Sequence, residues 1–161
     1  MHQADGSKQA NLPRRRTLLA AALTMALAAP GIARSRPLAQ VWKDPNCGCC
    51  KDWIAHLQAA GLEVQVSDTG NAAARARLGI PQKYGSCHTA LIGGHALAGP
   101  GPPPGIPRLL REAPPAPGLP GAGQPVGAPG MDGPAYGGLK DAYEVLLIGL
   151  DGTGTVYRSY R

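Results

Sequence analysis

The amino-acid sequence predicts one α/β domain, on three observations. Short apolar runs of strand character alternate with segments of helical period. A cysteine motif, Cys47-Gly48-Cys49-Cys50, falls where the first strand gives way to the first helix. Once an N-terminal leader is set aside, the remaining length suits a single core.

Leu38 to Trp42 reads as the first strand, closed by the turn residues Lys43-Asp44-Pro45-Asn46. From Lys51 to Ala60, Trp53, Ile54, Leu57 and Ala60 recur with helical period, and Gly61 supplies a stop. Leu62 to Val66 alternates as a second strand. Asn71 to Leu78 is a weaker Ala- and Arg-rich helix, ended by Gly79 and Pro81. Thr89 to Ile92 is a strand that Gly93-Gly94 turns into His95 to Leu97, and Ile106 to Glu112 is a short helix. This order of strand, cysteines, helix, strand, helix, hairpin and helix is the thioredoxin-like one, and a βαβ unit whose helix opens on a cysteine motif supports it. Residues 100–130 hold 11 Pro and 7 Gly, too many for regular structure, and predict a long loop of polyproline character. Tyr143 to Ile148 and Thr155 to Tyr160 flank a glycine-rich turn and predict a C-terminal β-hairpin.

Residues 1–33 read as a leader for export. Arg14, Arg15 and Arg16 precede an apolar run from Thr17 to Ala29, and Gly31-Ile32-Ala33 has the small-x-small form of a cleavage site. That run has 13 residues, against roughly 20 for a membrane span, so no permanent anchor is expected. Arg15-Arg16-Thr17-Leu18-Leu19 fits the twin-arginine pattern. Removing the leader takes away Lys8, the three arginines and Asp5, and lowers the net charge from +6 to +3. With the remaining Lys and Arg scattered and no Phe, nothing offers a basic, aromatic surface to nucleic acid.

All four cysteines lie in 34–161, three of them within four residues. A disulfide stabilises most when it closes a long loop, and pairs among Cys47, Cys49 and Cys50 close almost none. Placed at a helix N-terminus, where backbone N–H groups favour negative charge, these thiols are expected to have lowered pKa values. Two chemistries then compete. Soft thiolates select copper(I), zinc or Fe–S clusters. Adjacent thiolates that bridge several ions suit Cu(I), zinc asks for four tetrahedral ligands and is the alternative, and an Fe–S cluster, which takes four cysteines at wider spacings, comes third. Thiol–disulfide exchange is the other use of a CxxC at a helix mouth, and in that case the protein is an oxidoreductase. A pair of stabilising disulfides, one of them to Cys87, is the reading without function.

The segment Asp44-Pro45-Asn46-Cys47-Gly48-Cys49-Cys50-Lys51-Asp52-Trp53 closely resembles a bacterial metal-binding family of thioredoxin-like fold. The family was long catalogued as a domain of unknown function, and its copper-resistance members are called CopG. The likeness continues through Gly79-Ile80-Pro81, Ser86-Cys87-His88-Thr89-Ala90, Arg108-Leu109-Leu110, Gly118-Leu119 and Gly127-Ala128-Pro129-Gly130-Met131. It implies a periplasmic protein that handles copper, with copper ions and other periplasmic copper-handling proteins as partners. It also implies that Cys87 faces the cysteine motif and completes a site of Cys47, Cys49, Cys50 and Cys87, with His88 as ligand or orienting group. Relatives usually carry Gly-His and Gly-Met where this chain has Gly99-Pro100 and Gly123-Gln124. One imidazole and one thioether are therefore missing from the loop expected to close over the metal.

Other candidates carry less. His56, four residues after Asp52, is expected to pair with that carboxylate on the surface, and His95 at the hairpin is expected to be exposed. Met131 offers a thioether or simple loop packing. Trp53 is expected in the core, shielding the site.

Overall fold

The sheet is built around β1 (Leu38–Lys43), which pairs parallel with β2 (Glu63–Ser67) and antiparallel with β3 (His88–Ile92). These contacts belong to a computed structural model, which describes residues 35–99, 101, 103–112, 118–121 and 123–161. The expected leader, 1–33, and Pro100 lie outside the described residues. β4 (His95–Ala98) forms the predicted hairpin with β3 through Gly93-Gly94, both at positive φ. Beyond it come β5 (Gly118–Pro120), β6 (Tyr143–Ile148) and β7 (Gly154–Tyr160), giving the order β2-β1-β3-β4-β5-β6-β7. The last two form the predicted C-terminal hairpin, with an irregularity in register between Val145 and Leu146.

The crossover between β1 and β2 is α1 (Gly48–Ala59). Its Trp53, Ile54 and Leu57 are buried with Ala39 and Val41 of β1 and Ala90 and Ile92 of β3. Each large apolar side chain sunk in that layer contributes ~1.5–3 kcal/mol, which fixes α1 against the sheet. Gly61 at φ +86 then reverses the chain into β2. A second helix, α2 (Ala72–Arg77), follows β2, and α3 (Ile106–Glu112) lies at the predicted residues, with Ile106 and Leu109 buried.

Two expectations are corrected here. The helix carrying the cysteine motif starts at Gly48 rather than Lys51, because Cys47 caps it: its Sγ accepts the backbone N–H of Cys50 at 3.2 Å. Cys49 and Cys50 therefore stand in the first helical turn, and only Cys47 precedes it. The stretch 100–130 is not devoid of regular structure, since it contains both α3 and β5. β5 forms because it is seated between β4, to which it runs parallel, and β6. Gly118 is needed there, as a Cβ would collide with the Ala96 carbonyl. Among the described residues no helix is long and apolar enough to cross a membrane, and Arg34–Arg161 form one compact unit.

Candidate metal centre

Four sulfurs converge at the N-terminal end of α1. The Sγ atoms of Cys47, Cys49, Cys50 and Cys87 all lie within 4.8 Å of one another. β1 and α1 supply the first three through the turn Asp44–Cys47, which is tightened by the Cys47 N–H donating to the Asp44 carbonyl at 3.2 Å. Cys87 arrives on the segment entering β3, and its carbonyl accepts the Asp44 N–H at 3.1 Å, so the two segments are tied together beside the sulfurs. Asn71, at the start of α2, braces this segment from behind. Its Oδ1 accepts from Arg75 (3.0 Å) and Thr89 (3.3 Å), and Arg75 also donates to the Ser86 carbonyl at 3.4 Å.

Cys47 and Cys50 are joined as a disulfide, while Cys49 and Cys87 are free. The Cys87 sulfur sits 3.1 Å from Cys47 Sγ, 3.2 Å from Cys50 Sγ and 3.7 Å from Cys49 Sγ. Cys50 is fully buried, and the other three are half-buried. The expected lowering of the thiol pKa values does not hold for Cys49. Burial, reinforced by the charge and hydrogen bond of the Cys87 sulfur, pushes its thiol up to about 11. The amide of Cys50, which would have stabilised a free thiolate, is spent on the oxidised Cys47 sulfur.

His88 is buried behind the sulfurs, its Nδ1 3.5 Å from Cys50 Sγ and 3.7 Å from Cys87 Sγ. Burial draws its imidazole down to about 4, against the opposing pull of the Gly99 carbonyl. The ring is thus neutral near pH 7. Nε2 is 2.9 Å from that carbonyl, and because a carbonyl only accepts, Nε2 carries the proton and the Nδ1 lone pair faces the sulfurs. Trp53 stacks on His88 with ring centroids 4.2 Å apart, and its Nε1–H donates to the Gly101 carbonyl at 3.1 Å. It is fully buried, as expected, and shields the imidazole.

The other candidates stand elsewhere. His56 pairs not with Asp52 but with Asp132, 3.0 Å away, because the segment 125–133 crosses α1 at that point. Gly130 in that segment has φ +87, and a Cβ on it would lie 2.5 Å from the Cys49 carbonyl oxygen. Met131 Sδ accepts the Tyr136 hydroxyl at 3.2 Å, which is the packing role. His95 is buried, not exposed, since β4 lies inside the sheet and is covered on its outer edge by β5.

A residue read in the sequence only as a missing thioether does touch the site. Gln124 Nε2 donates to Cys87 Sγ at 2.7 Å and to Ser86 Oγ at 2.9 Å, and its Oε1 accepts from Cys49 Sγ at 3.1 Å. No local pattern marks it, because it is brought to the sulfurs by the course of the chain after β5.

The fold and site define a mixed α/β domain with a sulfur-rich cluster able to hold a metal ion. Residues 84–131 match the family model described as "Protein of unknown function, DUF411". Two solved structures of copper resistance protein CopG, form 1 and form 2, each share 39% identity with this chain at a TM-score of 0.71. The alignments cover 78% of this chain and 98% of form 1, and 79% of this chain and 100% of form 2. No protein of curated function matches. The chain belongs to the CopG family of copper resistance proteins.

Proposed function

We propose that this chain binds Cu(I) in the periplasm through Cys47, Cys49, Cys50 and Cys87, in copper homeostasis or resistance. In this reading residues 1–33 are a twin-arginine signal peptide, and 34–161 a single thioredoxin-like domain. The observation that carries it is the convergence of four sulfurs within 4.8 Å, from segments separated by the rest of α1, β2 and α2. The donor set fits a soft ion. It consists of sulfur with one imidazole lone pair behind it, and the metal-competent group contains no carboxylate. His88 serves as a further ligand or orients the thiolates. Zinc is the alternative occupant, and the names of the CopG relatives favour copper.

The Cys47–Cys50 disulfide supports a second reading, a thiol–disulfide or copper oxidoreductase. Opening that bond takes two electrons and two protons and yields two thiols, and a partner dithiol closing to its own disulfide, or two Cu(I) ions going to Cu(II), can supply the electrons. The deciding measurement is the metal content of protein purified without oxygen and under reduction. Copper stoichiometric with the chain is expected. A metal-free protein that reduces insulin disulfides would replace metal binding by the second reading.

A further inference from the structure

We propose that Gln124 is a positioning residue of the sulfur cluster, bridging the two cysteines that stay free when Cys47 and Cys50 are joined; this rests on the Cu(I) reading above. A glutamine amide offers one acceptor and two N–H donors, and here all three are engaged at the site. One N–H goes to Cys87 Sγ, the other to Ser86 Oγ, and the carbonyl oxygen takes the hydrogen of Cys49. The amide therefore spans the 3.7 Å between the Cys49 and Cys87 sulfurs. It also ties Cys87 to its neighbour Ser86, so both ends of the bridge are anchored.

The need for such a bridge follows from where the two cysteines sit. Cys50 is held by burial and Cys47 by its capping bond to the Cys50 amide. Cys49 is half-buried on the first turn of α1, and among its sulfur's hydrogen-bonding contacts the two besides Gln124 are to other cysteine sulfurs. Sulfur is a weak acceptor and a weak donor, so those contacts alone would not keep Cys49 turned inward. Gln124 supplies the one strong acceptor while Cys49 keeps its proton, and when a metal ion displaces that proton the N–H bond to Cys87 Sγ is the one that persists and holds the amide at the site. An amide oxygen is too hard a donor to compete with thiolates for Cu(I), which separates positioning from ligation. Loss of the amide should weaken the site without changing the number of ions it takes.

The experiment is a Cu(I) competition titration against a chromophoric chelator, without oxygen and under reduction, on the parent, Gln124→Ala and Gln124→Glu. Removing an orienting partner of a metal ligand typically costs ~10 to 100-fold in affinity, and Gln124→Ala should lose that much at unchanged stoichiometry and thermal midpoint. Gln124→Glu keeps the shape but replaces the donor to Cys87 by a negative charge, and should lose at least as much. Parent affinity in both variants would overturn the proposal, as would a loss of stoichiometry in both. If the parent itself takes no Cu(I), the binding reading fails, and the bridge is then judged in the metal-free protein by the side-chain amide resonances of Gln124. Slow exchange with water in the parent and fast exchange in Cys87→Ala would uphold it; fast exchange in the parent would end it.

Discussion

Cys87 joins the cluster from a distance of 37 residues beyond Cys50, and its sulfur lies within 3.7 Å of each of the other three. It closes no disulfide, so Cys87→Ser should leave thermal stability nearly unchanged. Losing even an orienting group costs ~10 to 100-fold in metal affinity, and Cys87→Ser should cost at least that in a Cu(I) competition titration. Parent affinity in this variant would reduce the site to Cys47, Cys49 and Cys50. His88 makes a separate prediction on pH. Its ordinary value of 6.5 falls to about 4 on burial in the folded, metal-free chain. The unfolded state therefore takes up a proton first as pH falls. The stability associated with neutral His88 is fully present above pH 6.5 and is lost as pH drops toward 4, by about 3 kcal/mol for the whole shift. Urea unfolding of the metal-free protein between those pH values should show this slope, and His88→Gln should flatten it. An equal slope in both proteins would contradict a buried neutral imidazole.

The elements show where sequence reasoning succeeds and where it stops. α3, β6 and the β3–β4 hairpin were legible because apolar spacing and Gly93-Gly94 act locally. The first turn of α1 was not, since Cys49 and Cys50 add no apolar period and the turn is secured by a sulfur cap. β5 was hidden for another reason. Gly and Pro have poor strand propensity, and Gly118–Pro120 becomes a strand only through pairing with β4 and β6. Of the candidate site, Cys47, Cys49 and Cys50 stood out by their spacing and Cys87 only through the family resemblance, whereas the Gln124 bridge and the His56–Asp132 pair depend on how the segment 123–133 is draped across α1. Gly130 sets that drape. A left-handed φ on a non-glycine residue costs ~1–3 kcal/mol, and a Cβ there would also press on Cys49 and Trp53. Gly130→Ala should lower the unfolding free energy by at least that range in a denaturant titration, and a loss below ~0.5 kcal/mol would mean the segment is not held against α1.

On the scale of the whole molecule, the site's capacity depends on its oxidation state. With Cys47 and Cys50 joined, two thiols remain free, and a disulfide sulfur is not a thiolate ligand. The four-sulfur site exists only after two electrons have entered, so metal load and redox state are linked. The reduced chain should bind Cu(I) more tightly, or in larger number, than the chain carrying the Cys47–Cys50 bond. Free-thiol counting under denaturing conditions would first assign each preparation to its state. Copper titration of the two states without oxygen, the oxidised one in the absence of any added thiol, then measures the difference. The oxidised chain must be re-counted afterwards, because Cu(I) could itself open the bond and give Cu(II), which would appear as two new thiols and a paramagnetic copper signal. Equal copper load and affinity in the two states, with the disulfide still closed at the end, would show that Cys47 and Cys50 contribute no ligand. The metal would then rest on Cys49, Cys87 and the His88 nitrogen alone.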